Sequence, residues 1–163
     1  MQEEETINPL DFSEISPGRI LALDLGTKWV GIAVCDELQI TVRPVCVLER
    51  RSWKELLRKI SAFIEEFDAV ALVLGLPYNF DGSESEMSQE ARRLHRNFSL
   101  SLRIPVYLQD ERLTSMAADK LLRERRLGEK QIRKQIDSNA AAFILNDFLA
   151  LKHSTDQGNI QTG

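Results

Sequence analysis

The stretch RILALDLGTKWVGIAVC, Arg19–Cys35, carries the strongest indication of the fold, because it predicts two buried strands joined by a turn. Its first part, Arg19–Leu25, is an almost continuous apolar run interrupted by one acid, which is typical of a strand buried on both faces. Gly26-Thr27-Lys28 predicts a turn, and Trp29–Cys35 predicts a second strand. A charge inside a buried strand is costly unless it is paired or bound to a metal ion. Asp24 is therefore a candidate functional residue, although an Asp at a strand end can also cap the next turn.

Hydrophobic periodicity extends this hairpin into an α/β domain. We expect further strands over Gln39–Leu48, Ala69–Leu74 and Ile104–Gln109. Helices are expected in the intervening and following segments: one capped by Ser52, then Ser83–Ser101, Thr114–Arg125, a short stretch near Glu129–Gln135, and Ser138–Lys152. Strands joined by short turns pair antiparallel, and strands joined through helices pair parallel. The prediction is a mixed five-stranded sheet with helices on both faces, which is the architecture of the ribonuclease-H-like fold.

The length of 163 residues suits one domain. We expect a folded domain over residues 18–153, a flexible acidic tail over 1–17 and a flexible tail over 154–163. No apolar run approaches the roughly 20 residues that span a membrane, and no secretory signal is visible. Cys35 and Cys46 are expected to be free thiols, which favours a reducing cytoplasm. Two histidines and two cysteines do not form a zinc pattern, and they disfavour a His-based nucleophilic mechanism.

The charge is unevenly distributed along the chain. The net charge is −4, which argues against a strongly basic nucleic-acid coat. Residues 92–134, however, hold 12 bases and 5 acids, whereas residues 1–18 hold five acids and no base. Such a basic segment is either a solvated face or a surface that follows a phosphate backbone. Both interpretations stay open at this point.

Two further carboxylates are predicted to approach Asp24. Glu111 follows the fifth strand, where ligand sites gather in α/β sheets, although it could simply pair with Arg112. Asp137 lies three residues before Ala140 and four before Ala141, which places it on the apolar face of the last predicted helix. It could also simply cap that helix. Three converging acids repel one another unless cations neutralise them. Oxygen ligands suit Mg²⁺ or Mn²⁺, and a pair of such ions supports phosphodiester hydrolysis.

Other residues are candidates for substrate binding. Gly75 and Pro77 follow the fourth strand and should border the same cleft, although an ordinary strand-to-helix turn explains them as well. Lys28 in the hairpin could contact a phosphate, or it could simply be a solvated surface residue. Arg112, Arg125 and Arg126 belong to the basic segment, whose charges lead towards Asp137.

Four ordered motifs resemble those of a known family. They are LALDLGTKWVGIA, GLPYNFDG, DERLTS and IDSNAAAFIL. The chain resembles the YqgF family, also called RuvX or Holliday-junction-resolvase-like, over roughly residues 19–151. The resemblance implies a ribonuclease-H-like fold and a cytoplasmic nuclease that matures the 5′ end of pre-16S rRNA. It also implies that Asp24, Glu111 and Asp137 are the catalytic, metal-binding acids. Ser115 departs from the second Thr that the family commonly shows.

The leading hypothesis is a Mg²⁺- or Mn²⁺-dependent endonuclease that acts on structured RNA, with two ions held by the three acids. The partner is then a pre-rRNA, either free or in a pre-ribosomal particle, and the protein is a monomer or homodimer. The alternatives are a dimeric DNA-junction resolvase and a non-catalytic nucleic-acid or ribosome-associated factor. An actin-like sugar-kinase or ATPase module would explain the Asp-x-Gly hairpin, but the chain is too short for two lobes.

Overall fold

The computed structural model describes residues 11–77, 83–110 and 129–160, without the side chains of 129–138, 159 and 160. The strands are β1 (Ile20–Leu25), β2 (Trp29–Cys35), β3 (Val42–Glu49), β4 (Ala71–Leu76) and β5 (Val106–Asp110). The helices of the described ranges are α1 (Trp53–Phe67), α2 (Glu86–Ser101) and α3 (Glu129–Ile160), preceded by a short 3-10 helix over Phe12–Glu14. The helix expected over Thr114–Arg125 lies outside the described residues.

The five strands form one mixed sheet in the order β3-β2-β1-β4-β5. β2 pairs antiparallel with both β1 and β3, whereas β4 pairs parallel with both β1 and β5. Short turns join the antiparallel strands, and helical crossovers join the parallel ones. The predicted ribonuclease-H-like fold is confirmed.

Alternation along β1 divides the core between the two faces of the sheet. Leu21, Leu23 and Leu25 pack with residues of α1 and α2 on one face. Ile20 and Ala22 pack with residues of α3 on the other face. Because both faces are covered, β1 and β4 are buried throughout, as their continuous apolar runs predict.

Local capping explains where the first two helices begin. The Ser52 hydroxyl accepts a hydrogen bond from the Glu55 N–H and caps α1, as predicted. Helix α2 begins at Glu86 instead of Ser83, because Ser85 is its N-cap and forms a reciprocal capping box with Ser88. Ser83 lies before that cap.

The last helix differs from the expectation. The short stretch near Glu129–Gln135 and the helix over Ser138–Lys152 are one continuous helix, α3, which runs on to Ile160. No Pro or Gly interrupts the chain between Glu129 and Gln157, so nothing stops the helix at Asp137. The alternative role of Asp137 as an N-cap is therefore wrong, because Asp137 lies in the interior of α3.

Part of the expected N-terminal tail packs on the domain. The rings of Phe12 and Phe148 meet edge to face with centroids 5.3 Å apart, and Ile15 packs on the same core. The Tyr107 hydroxyl donates to the Asp11 carbonyl at 3.1 Å, and the Gln39 amide donates to the Ser16 carbonyl at 3.2 Å. These contacts cover the α3 face of the sheet. The division of the chain into two tails and a domain stays a prediction.

Cys35 and Cys46 are free thiols, as expected. Within the described ranges, none of the helices combines the length and the apolar character that crossing a membrane requires.

Candidate active site

The carboxyl ends of the parallel strands β1, β4 and β5 meet at one edge of the sheet. β1 and β4 pair in register through Leu23 and Leu74, and the next residues along these strands are Asp24 and Gly75. Gly75 in turn pairs with Gln109 of β5. Asp24, Gly75 and Gln109 therefore form one row across three strands, at the edge where α/β sheets place their ligands.

Asp24 is buried, with a relative exposure of 9%. Its partner in β2 is Gly31, and its neighbour in β4 is Gly75, so a glycine lies on each side of it. Neither glycine has a positive φ, so backbone conformation does not explain them. A glycine inside a buried strand weakens the strand and marks a place where a ligand or another backbone approaches closely. Within the sheet, the residues directly beside Asp24 therefore carry no side chain.

Gln109 lies in the same row and is also buried, with a relative exposure of 4%. Its side chain shares the face of Tyr107, two residues earlier, which packs against the α3 core. Asp24 is likewise two residues from Ala22, which belongs to that core. Asp24 and Gln109 therefore point to the same face of the sheet, the face covered by α3.

Helix α3 runs antiparallel to β1. His153, near its C-terminus, bonds the Gln39 carbonyl, and the Gln39 amide donates to the Gly18 carbonyl just before β1. The N-terminal part of α3 therefore lies towards the carboxyl edge of the sheet. Asp137 precedes the buried Ala140 by three residues, so its backbone is one helical turn closer to that edge. The Asp137 side chain lies outside the described residues.

The segment after β4 is held by helix α2. The Ser88 hydroxyl is buried, donates to the Pro77 carbonyl and accepts from the Ser85 N–H at 3.0 Å. The cap of α2 thus fixes the backbone that leaves Gly75. Pro77 directly follows β4 at the carboxyl edge of the sheet, and its role at a substrate cleft stays a prediction.

The hairpin that follows Asp24 is held from the other side by Arg50. The Arg50 guanidinium donates to the Gly26 carbonyl at 3.1 Å, and its backbone N–H donates to the Lys28 carbonyl at 2.8 Å. Gly26 is required here, because a Cβ would meet the Trp29 carbonyl oxygen at 2.7 Å. Lys28 is exposed at the tip of this hairpin.

Glu90 of α2 completes the support of the hairpin. Its carboxylate accepts from Arg50 at 2.6 Å and from Arg93 at 2.7 Å. The hydrogen bonds from Arg93 and Arg50 lower the pKa of Glu90 to about 2, from a usual value of 4.5. Helix α2 is therefore tied electrostatically to the turn that follows Asp24.

We expect Glu90→Gln to lower the free energy of unfolding by about 1 kcal/mol at pH 7, as for a partly exposed ion-pair network. The folded-state pKa is depressed, so this stabilisation is present above pH 4.5 and disappears as the pH falls towards 2. Urea unfolding of both proteins between pH 7 and pH 2 checks the prediction. A difference that stays constant, or grows, as the pH falls would contradict it.

The structure describes only some of the predicted site residues. Asp24, Gly75 and Pro77 lie together at the carboxyl edge, and Lys28 lies on the adjoining hairpin. Glu111, Arg112, Arg125 and Arg126 lie outside the described residues. Within the parts of the chain that are described, no three His, Cys, Asp or Glu side chains gather as a metal site. The proposed convergence of three acids therefore stays a prediction.

Sequence comparison identifies the family. A family model described as RuvX, Holliday junction resolvase, matches residues 18–151, which is most of the chain. The chain belongs to the RuvX family. The predicted resemblance is confirmed.

Curated relatives of this RuvX family member carry one name, "Putative pre-16S rRNA nuclease". The relative from Anaeromyxobacter sp. (strain Fw109-5) is 36% identical, over 83% of this chain and 99% of its own. The relative from Cereibacter sphaeroides (strain KD131) is 40% identical, over 81% of this chain and 82% of its own. The relative from Myxococcus xanthus is 38% identical, over 80% of this chain and 87% of its own. Among solved structures, T. thermophilus RuvC in complex with Holliday junction substrate aligns with a TM-score of 0.48 and 16% identity, over 85% of this chain and 97% of that one.

The described part of this RuvX protein supplies one ligand that is suited to a divalent-cation site. Asp24 supplies a buried carboxylate, and oxygen is the donor that Mg²⁺ and Mn²⁺ prefer. On both sides of it the neighbouring strand residue is a glycine, which is where a ligand commonly approaches a sheet closely. Buried carboxylates in proteins are paired with opposite charges or coordinate metal ions, so a cation is one partner that suits Asp24.

Sequence reasoning missed three residues that shape this edge: Gln109, Arg50 and Glu90. Gln109 was assigned only to a strand, since the face on which it lies depends on the pairing of β5 with β4. Arg50 and Glu90 lie 40 residues apart, and no local pattern connects them. Among the three, only Gln109 gave a signal in the sequence, as a polar residue that ends an apolar run.

Proposed function

We propose that this RuvX protein is a divalent-metal-dependent endonuclease that hydrolyses phosphodiester bonds of structured nucleic acid. The substrate that we favour is the 5′ leader of pre-16S rRNA, in the cytoplasm, either free or within a pre-ribosomal particle. The observation that carries the proposal is the buried Asp24 between two glycines, at the carboxyl edge of a ribonuclease-H-like sheet. The names of the curated relatives support the choice of RNA.

The proposed roles follow from position. Asp24 binds Mg²⁺ or Mn²⁺ through its carboxylate, and Glu111 and Asp137 complete a site for two ions. Ions held by these carboxylates would activate a water for attack on the phosphodiester and would stabilise its leaving oxygen. The burial of Asp24 keeps bulk water away from this carboxylate, which strengthens its attraction for a cation.

Substrate contacts surround this centre. The backbone of Gly75 and Pro77 borders the scissile region, held in place by Ser88. Lys28, exposed on the hairpin, contacts a phosphate near Asp24. We assign Arg112, Arg125 and Arg126 to phosphates further along the strand. These contacts recognise the backbone and shape of the nucleic acid more than its sequence.

The direct test compares two labelled substrates, a pre-16S leader fragment and a four-way DNA junction. We expect Mg²⁺-dependent cleavage of the RNA and none in EDTA. Symmetric cleavage of the junction by a dimer would instead support resolvase activity, which the description of the family model favours. Binding of RNA without cleavage under any metal condition would indicate a non-catalytic factor and would overturn the proposal.

Charge reversal in the basic segment is expected to weaken binding. The double variant Arg125→Glu/Arg126→Glu removes two phosphate contacts. The slope of log K against log salt concentration should therefore become less negative by about two. Affinity at physiological salt should fall by at least about tenfold. Fluorescence anisotropy with a labelled RNA at several salt concentrations measures both quantities.

The matched control is Arg58→Glu on helix α1, which packs on the opposite face of the sheet from α3. Arg58 is exposed, so its reversal should leave the affinity and the salt dependence close to those of the wild type. Arg58→Glu changes the net charge by two units and the double variant by four, so a control effect half as large as that of the double variant would show that only the net charge matters.

A further inference from the structure

Gln109 is a buried amide with an unused acceptor. Its side chain is 4% exposed, and its Nε2 lies 3.4 Å from the Asp110 carbonyl oxygen. Its Oε1 is buried and has no hydrogen-bond partner. Buried polar atoms are almost always paired, so an unpaired one in a folded core calls for an explanation, and a bound water or ion is one of them.

The register of the sheet relates Gln109, and with it the Oε1 atom, to Asp24. The two residues lie in one row of the sheet, separated by the single strand β4. Their Cα atoms are thus about 10 Å apart, which is two strand spacings. The residue between them is Gly75, so no side chain of the sheet itself separates the amide of Gln109 from the carboxylate of Asp24.

The chemistry of the two groups selects the ligand. An amide oxygen only accepts hydrogen bonds or binds a cation. A phosphate oxygen is itself an acceptor, so neither the amide oxygen nor a carboxylate oxygen offers it a hydrogen bond. A hydrated divalent cation satisfies both, because its charge is attracted to the carboxylate and its waters donate hydrogen bonds.

We propose that the Oε1 of Gln109 accepts a hydrogen bond from the hydration shell of a divalent cation bound at Asp24, which makes Gln109 a positioning residue of the cation site. The inference rests on the proposed function, since that function places the cation at Asp24. Gly75 is the residue that makes the arrangement possible, because any larger side chain would stand between the two groups. Residues that orient a metal site in this way commonly change metal affinity 10- to 100-fold when they are removed.

The test measures Mn²⁺ binding by calorimetry in the absence of nucleic acid. Gln109→Leu removes the oxygen and is expected to weaken Mn²⁺ binding by about tenfold. Gln109→Glu keeps an acceptor and adds a negative charge, so it should bind Mn²⁺ at least as tightly as the wild type. Thermal unfolding without metal provides the structural control: a merely structural role of Gln109 would lower the melting temperature of Gln109→Leu and leave its Mn²⁺ affinity unchanged.

The outcomes separate this inference from the proposed function. If the wild type does not bind Mn²⁺, the metal dependence of the proposed function fails. If the wild type binds, Asp24→Asn does not, and Gln109→Leu binds like the wild type, only the role of Gln109 is overturned. If Gln109→Leu keeps its Mn²⁺ affinity but loses a preference for RNA over DNA, the amide accepts from a ribose hydroxyl instead, and the proposal is wrong.

Discussion

Asp24→Asn is expected to leave the protein folded and to reduce the single-turnover rate of RNA cleavage by about 1,000-fold or more. The substitution keeps the size of the side chain but replaces one carboxylate oxygen with an amide NH₂, and it removes the negative charge. Metal-assisted stabilisation of the transition state is worth several kcal/mol, and each 1.36 kcal/mol corresponds to a factor of ten in rate. Cleavage at saturating Mg²⁺, with circular dichroism of both proteins, measures the effect.

Asp68→Asn is the matched control for this variant. Asp68 is exposed at the end of helix α1 with a left-handed backbone, at φ 51°, which Asn tolerates well. Its substitution changes the net charge equally and should leave cleavage unchanged. A well-folded Asp24→Asn protein that cleaves as fast as Asp68→Asn would remove Asp24 from the catalytic centre.

Phe148→Ala is expected to lower the free energy of unfolding by about 3–5 kcal/mol. Phe148 is completely buried, and its ring contacts those of Phe12 and Tyr107 with centroids 5.3 and 5.4 Å apart. It therefore joins three parts of the molecule: α3, β5 and the segment before β1. Such a loss is a large share of the roughly 5–15 kcal/mol that stabilises a typical domain. Urea unfolding at pH 7 measures it.

Leu151→Ala, on the same helix, is the control for packing. Leu151 is 46% exposed, so its truncation should change the free energy of unfolding by no more than about 0.5 kcal/mol. A Phe148→Ala protein as stable as Leu151→Ala would mean that α3 does not hold the sheet as described.

The sheet was predictable from the sequence because β1 and β4 are buried on both faces. Continuous apolar runs such as Ile20–Leu25 have few other stable solutions in a chain of this composition. The same run made Asp24 conspicuous, since a lone charge in it needs an explanation. The mixture of antiparallel and parallel pairs followed from the short turns and the helices between the strands, whereas the order of the strands came only from the structure.

Helix α3 was less predictable, because its amphipathic pattern is clear only from about Ala140 onwards. Ahead of that point, residues 129–138 are mostly polar, and only Ile132 and Ile136 continue the spacing of four residues that leads to Ala140. The end was also misplaced, since polar residues after Lys152 resemble a tail although no Pro or Gly stops the helix before Gly158.

The composition of the candidate site was predictable only in part. Asp24 could be found from its own strand, whereas Gln109 became a site residue only through the register that aligns it with Gly75. Arg50 and Glu90 were invisible for the same reason, because contacts across 40 residues depend on the tertiary fold. Long-range pairing is set by the whole core, and no local spacing reports it.

In the mechanism that we propose, a cation held at Asp24 is required for cleavage. The most direct measurement strips the protein of metal and follows cleavage of a labelled pre-16S leader while Mg²⁺ is restored, for the wild type and Asp24→Asn side by side. We expect no cleavage by either protein without metal, a saturable recovery for the wild type, and a rate for Asp24→Asn that stays about 1,000-fold or more below that of the wild type even at saturating Mg²⁺. Cleavage by the metal-free wild type, or equal recovery of the two proteins, would contradict the account.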